Sequence, residues 1–208
     1  MDSSQLYHIK QQFTLGAYPL LIETPLPDPS SADYVPAILY KTRAYLASGD
    51  SASALASIPD ESENIALRAV AALAQGEEGL ETLRDLCVEI EADGDDIGNW
   101  EKEVVTVLAA TAFIRAGEVE EALETLRDSA QAGNEACVTL SHSFHSVPVS
   151  PSPRSALLAH IYLSLSRQTT ARKILSTALQ ANPDSLVLQL SEATLSLATG
   201  AQGTSGKL

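Results

Sequence analysis

Three stretches of the chain carry the same spaced pattern: LYKTRAYLASGDSASAL, VLAATAFIRAGEVEEAL and ALLAHIYLSLSRQTTARKIL. In each, an aromatic residue stands four positions before a turn: Tyr45 before Gly49, Phe113 before Gly117, Tyr162 before Ser166. A small residue (Thr42, Ala110, Ala159) stands three positions before the aromatic, and an alanine (Ala54, Ala122, Ala171) five past the turn. Positions three or four apart share one face of a helix. The pattern therefore places one large and one small side chain on the inner face of a first helix, and a small one where a returning helix meets it. One such pair cannot bury its apolar face alone and must stack on neighbours.

Turn residues fall at Gly16, Gly49, Gly76, Gly117 and Ser166. Gly16 and Gly49 are 33 residues apart, and Gly49 and Gly117 are 68 apart, two repeats of about 34. The 49 residues from Gly117 to Ser166 are one period plus about 15 extra, which matches a proline-rich stretch from Ser141 to Pro153. Leu175, Ala178 and Pro183 extend the pattern in the third copy. The repeat resembles the tetratricopeptide repeat. The expected fold is all-α, a right-handed solenoid of antiparallel helix pairs over residues 1–200, with an insertion at about 141–153 and a flexible tail at 201–208.

Strand patterns are almost absent. The apolar periodicity predicts helices over Gln5–Leu15, Tyr18–Glu23, Ala37–Ser48, Asp50–Ile58, Ile65–Gln75, Leu80–Glu91, Trp100–Ala116, Val119–Gln131, Arg154–Leu165, Thr169–Ala181 and a last one ending at Thr199. Asp60 with Glu63 forms a candidate capping box before Ile65, and Asp184 a candidate cap for the last helix. TPLPDPSS, with Pro25, Pro27 and Pro29, is a loop. This loop and the Ser141–Pro153 stretch are the expected exposed sites of proteolysis.

Composition narrows function. The net charge is −14, from 27 acidic and 13 basic residues. Such a surface repels phosphate, which argues against nucleic acid as a partner and against direct binding to anionic lipid. Aromatic residues make up only 5%, so the expected core is made of small side chains, with no large aromatic pocket. The two cysteines, Cys87 and Cys137, read as small core residues rather than a disulfide framework. MDSSQLYHIKQQ has no signal-peptide character, and the longest apolar run, Val104 to Ile114, falls short of a membrane span. The expected compartment is the reducing cytoplasm.

Candidate chemistry fails on inspection. AQGTSGKL approaches a phosphate-binding loop but has Leu208 where the motif needs Ser or Thr, and no strand precedes it. Asp93, Asp95 and Asp96 lack the later oxygen ligands of a calcium loop, since Ile97 and Val104 stand at those positions. Cys137, His142 and His145 lack the fourth ligand of a closed zinc site. No nucleophile, base and oxyanion donor can be grouped. The expectation is no cofactor, no metal and no enzyme.

What helix pairs offer is a surface. In tetratricopeptide geometry the residue three before the turn faces the concave side. Here those residues are Phe13, Leu46, Leu73, Ile114 and Leu163, all apolar. One or two turns earlier on the same side come Leu6, Leu39, Val70 and Val107. Packing between repeats accounts for any one of them equally well. All together they point to an apolar lining for a partner. The cations on this side, Lys10, Arg43 and Arg115, are spread over three repeats and too few for a clamp that grips acidic peptide ends.

LYHIKQQFTLGAYPLLIE near the start, LYKTRAYLASGD after it and SEATLSLATG near the end resemble the epsilon subunit of coatomer, in that family's order. The resemblance spans Leu6 to about Gly200. It implies a cytoplasmic structural subunit of the COPI coat, peripheral on Golgi membranes and vesicles, acting in Golgi-to-ER and intra-Golgi transport. It implies a permanent partner, the C-terminal domain of the alpha subunit, around which the repeats curl, and membrane contact only through the coat. The Ser141–Pro153 insertion stands outside the family pattern. The family continues with further helix pairs beyond Leu208, so the chain reads as truncated. The competing expectation is a generic tetratricopeptide adaptor or co-chaperone holding a peptide in its groove.

Overall fold

The computed structural model describes residues 3–59, 63–92, 97–126 and 153–200. Among them the chain is all-α, a set of repeated helices with no strand. In order these are α1 (Ser4–Thr14), α2 (Tyr18–Glu23), α3 (Tyr34–Ala47), α4 (Ser51–Ala56), α5 (Ile65–Gln75), α6 (Leu80–Ala92) and α7 (Asn99–Ala116). Then come α8 (described over 119–126), α9 (Pro153–Ser164), α10 (Gln168–Ala181) and α11 (Leu186–Ala198). A 3₁₀ turn, Gly76–Gly79, joins α5 to α6. The candidate insertion at 141–152 and the tail at 201–208 lie outside the described residues, as do Cys137, His142, His145, Asp93, Asp95 and Asp96.

The turns explain the pairing. Gly16, Gly49, Gly76 and Gly117 all have positive φ, and Ser166, at φ 60°, is the one described non-glycine that does. At four of the five positions the backbone closes in the same way. The turn residue's N–H donates to the carbonyl three residues back, and the next N–H donates to the carbonyl five back. The second bond is Ala17 to Gln12 (2.9 Å), Asp50 to Tyr45 (3.0 Å), Glu118 to Phe113 (2.8 Å) and Arg167 to Tyr162 (2.7 Å). This is the Schellman closure, which satisfies carbonyls that a helix end leaves open and reverses the chain within two residues. Gly76 differs: its ψ is −127° and the chain runs on into the 3₁₀ turn.

The small residues sit where close approach needs them. Thr42, Ala54, Ala110, Ala122 and Ala171 are fully buried, and Ala159 is 3% exposed. Of the aromatics, Phe113 and Tyr162 are buried, whereas Tyr45 is half-buried. Thr42 Oγ1 and Ser57 Oγ lie 2.8 Å apart, so the one polar member of the small set finds a partner in its own pair.

The described residues form two compact units, Met1–Glu118 and Val119–Leu208. In the first, α1, α3, α5 and α7 stack in sequence, and α2, α4 and α6 each pack on the helix before and the helix after. Contacts restricted to neighbours are what stacked pairs produce. Its core includes Ile9, Leu21, Ala37 and Ala44 at one end, with Phe13, Tyr18 and Tyr40 packed against them. In the second unit α9, α10 and α11 pack on one another around Tyr162, Leu175, Leu188 and Leu195.

Three boundaries differ from the periodicity. Helix α3 begins at Tyr34, three residues early, because Pro36 falls in its first turn, where a missing N–H costs nothing. The cap of α5 is Asn64, whose Oδ1 accepts from the N–H of Ala66 (3.0 Å) and Leu67 (3.3 Å). Asp60, outside the described residues, stands too far from Ile65 to play that part. Likewise α11 is capped by Ser185, whose Oγ accepts from Leu188 N–H, and not by Asp184. The TPLPDPSS loop is tied at its start: Gln5 Nε2 donates to Pro25 O (3.1 Å) and Lys41 Nζ to Thr24 O (3.2 Å).

Two predictions follow from local geometry. A left-handed residue with a β-carbon costs about 1–2 kcal/mol, and glycine loses part of that gain through its freer unfolded chain. Ser166→Gly should therefore stabilise the protein by roughly 0.5–1 kcal/mol in denaturant titration, and Gly117→Ala should destabilise it. A Ser166→Gly midpoint below wild type would contradict this account of the turn. Asp50 caps α4 by accepting from Ser53 N–H (3.0 Å), and hydrogen bonds to Ser53 hold its carboxyl below the usual range. Its contribution is present above the unfolded pKa near 3.9 and is lost as pH falls through the lower folded value. Asp50→Ala should lower stability at pH 7 and make less difference to it below about pH 4.

Candidate interaction groove

The first unit carries a groove with a volume of about 190 Å³, lined by Phe13, Tyr18, Arg43, Leu46, Ala47, Leu73, Leu108, Thr111 and Arg115. Helices α1, α3, α5 and α7 each contribute to it. The register that places a turn at the end of each first helix brings the residue three before that turn to the same level in successive pairs. Phe13, Leu46 and Leu73 are such residues, and they meet here.

An aromatic cluster forms one wall. The Phe13 ring lies 5.6 Å from that of Tyr18 and 5.4 Å from that of Tyr40, the second pair edge to face. The Arg43 guanidinium lies 4.7 Å from the Phe13 ring centroid and 5.9 Å from that of Tyr40. Cations are attracted to ring faces, and the flat guanidinium stacks well there. Burial pulls the pKa of Arg43 below its ordinary value, with Tyr40 and Tyr18 opposing that shift. The group nevertheless stays charged, since guanidinium does not lose its proton in proteins. Composition argued against a large aromatic pocket, and Phe13 and Tyr18 are the two aromatics among the nine residues that line this groove. With Tyr40 they gather three of the chain's few aromatics at one end of the first unit.

The nine expected lining residues divide by burial. Leu6, Leu39, Val70 and Val107 are between 0% and 6% exposed and pack inside the chain itself. They lie one or two turns before the groove level, on the covered part of each first helix. Phe13, Leu46, Ile114 and Leu163 are half-buried, and Leu73, 7% exposed, lines the groove floor. Ile114 is not among the groove residues, and Leu163 belongs to the second unit, beside Ala159 and Leu175. Tyr18, Ala47, Leu108 and Thr111 line the groove without having been expected, and all four lie outside the three-before-turn register that the sequence offers as a signal.

A second arginine is fixed differently. Arg84 on α6 pairs with Glu118 (2.7 Å) and Glu81 (3.1 Å) and lies 5.4 Å from the Phe113 ring, tying α6 to the turn that ends α7. Among the described residues no group of three or more His, Cys, Asp or Glu is placed to hold a metal. No described helix is long and apolar enough to cross a membrane.

These features define an all-helical protein of repeated helix pairs whose first unit presents an apolar groove edged by cations. A family model for the coatomer epsilon subunit matches residues 2–141, more than half of the chain and all of the first unit beyond Met1. The chain belongs to that family, the epsilon subunits of the COPI vesicle coat. Comparison with the curated proteins finds no match. The family match ends at residue 141, so the resemblance of SEATLSLATG rests on that segment alone.

The burial division is directly testable. Val70→Asp puts a charge in a fully buried site and should abolish cooperative unfolding or lower the midpoint severely. Leu46→Asp, at a half-exposed site, should leave the helical circular dichroism intact. Equal damage from both substitutions would show that the groove residues are core.

Proposed function

We propose that this chain is a structural subunit of the COPI coat that clasps the C-terminal domain of the alpha subunit through the groove of its first unit. Family membership supports the coat role. The observation that carries the binding reading is the meeting of Phe13, Leu46 and Leu73, from three successive first helices, on one open groove of mixed apolar and polar lining. An extended or hairpin segment laid across stacked first helices would bury these side chains, and a curved array would wrap around it. The solenoid shape, the transport steps from Golgi to endoplasmic reticulum and within the Golgi, and the place on the cytoplasmic side of Golgi membranes belong to the same proposal. Membrane contact is then indirect, through the assembled coat, and the net charge of −14 fits a subunit kept off anionic lipid.

The test replaces Phe13 and Leu46 together with Asp, placing two charges in a desolvated interface at a cost of several kcal/mol of binding. Capture of the alpha C-terminal domain should fall to background while circular dichroism still reports a helical protein. Full capture by a folded double variant would overturn the proposed surface.

A further inference from the structure

Two of the three cations that the sequence scatters over separate repeats, Arg43 on α3 and Arg115 on α7, line the same groove. Arg43 is packed on Phe13 and Tyr40 and makes no hydrogen bond or ion pair with a described residue; Arg115 makes none either. Both facts stand out in a chain with about two acidic residues for each basic one, where Arg68 and Arg84 do find carboxylates. Among the described residues no acidic side chain lines the groove, and the Thr111 hydroxyl donates to Val107 O (2.6 Å). Tyr18 and Thr111 add neutral hydroxyls, whereas the two guanidiniums can only donate. The groove thus offers N–H donors and positive charge beside apolar walls, with no carboxylate among its described lining residues to match them.

We infer that the groove receives an extended peptide segment of the partner in which an Asp or Glu carboxylate stands beside a large apolar side chain, the carboxylate pairing with Arg43 and Arg115 and the apolar side chain entering between Phe13, Leu46 and Leu73. The inference rests on the proposed clasp and specifies what that groove selects. The volume of about 190 Å³ exceeds that of a cavity of about 150 Å³ that admits benzene, so one leucine or aromatic side chain fits. Guanidinium forks match a planar carboxylate with two parallel hydrogen bonds. Stacking on Phe13 holds the Arg43 fork in place before the partner arrives, so little ordering entropy is spent on binding. A densely charged phosphate ligand would meet the repulsion of the whole acidic surface, whereas a single carboxylate flanked by apolar residues meets far less. Burial also pulls the Arg43 pKa down, as expected for a cation held without a counter-charge.

The full chain is titrated calorimetrically with the alpha C-terminal domain, as wild type, Arg115→Gln, and Arg43→Lys, the last retaining charge but losing the fork. Each variant should bind at least tenfold more weakly, with a shallower dependence on salt, while circular dichroism is unchanged. A second probe is a fluorescent Leu-Glu-Leu-Glu-Leu peptide compared with its Gln analogue. The Glu form should bind more tightly to wild type, and Arg115→Gln, an exposed site that does not threaten folding, should erase the difference. If Phe13→Asp with Leu46→Asp abolishes alpha binding but both Arg variants bind like wild type, the carboxylate inference is overturned and the clasp stands. If the alpha domain does not bind wild type, the clasp fails; an arginine-dependent Glu preference would then support the groove chemistry with another partner, and no preference would overturn it.

Discussion

The turn residue after α1, α3, α7 and α9 has a positive φ, and the pairing of helices in each unit depends on it. With φ positive at that residue, two N–H groups turn back onto the last carbonyls, the helix stops without open acceptors, and the chain leaves antiparallel. The residues three and four before the turn are then fixed in direction. The fourth, such as Phe113 or Tyr162, points into the core, and the third points toward the neighbouring first helices. Alanine or threonine at the crossing lets the backbones close to the distance this geometry sets. A turn residue that preferred negative φ would rotate both positions out of register at once.

That dependence explains what could be read from the sequence. Four of the five turn residues are glycines because a β-carbon is disfavoured there, and five of the six buried crossing points are alanines, Thr42 being the sixth, because close helix approach favours small side chains. Both choices are local, and both survive as spacing in the chain. The start of α3 was less legible, because Pro36 signals a break but is tolerated in a first turn. The cap Ser185 stands next to the acidic candidate Asp184, and Asn64 stands four residues after the candidate Asp60; only the position of the first helical residue decides between them.

The groove was legible only in half. Phe13, Leu46 and Leu73 follow from the register, whereas the aromatic wall does not. Tyr18, Tyr40 and Phe13 come from three different helices, and their convergence depends on how α1, α2 and α3 pack. The same holds for Arg43 and Arg115, 72 positions apart (115 minus 43) yet on one groove. Composition argued from the rarity of aromatics, but a few residues gathered at one place matter more than their average. The residues earlier on each first helix, Leu6, Leu39, Val70 and Val107, were expected at the lining and are buried within the chain's own packing, because stacking covers that face of the helix ahead of its last turn.

The proposed clasp puts partner binding on the first-helix groove of the first unit and not on α4 or α6. Hydrogen–deuterium exchange of the chain, alone and with the alpha C-terminal domain, tests this most directly. A partner seated in the groove should add protection in the last turns of α1, α3 and α7, around Phe13, Arg43, Leu46 and Arg115, with little change in α4 and α6. Protection confined to α4 and α6, with the groove helices exchanging as in the free chain, would contradict it.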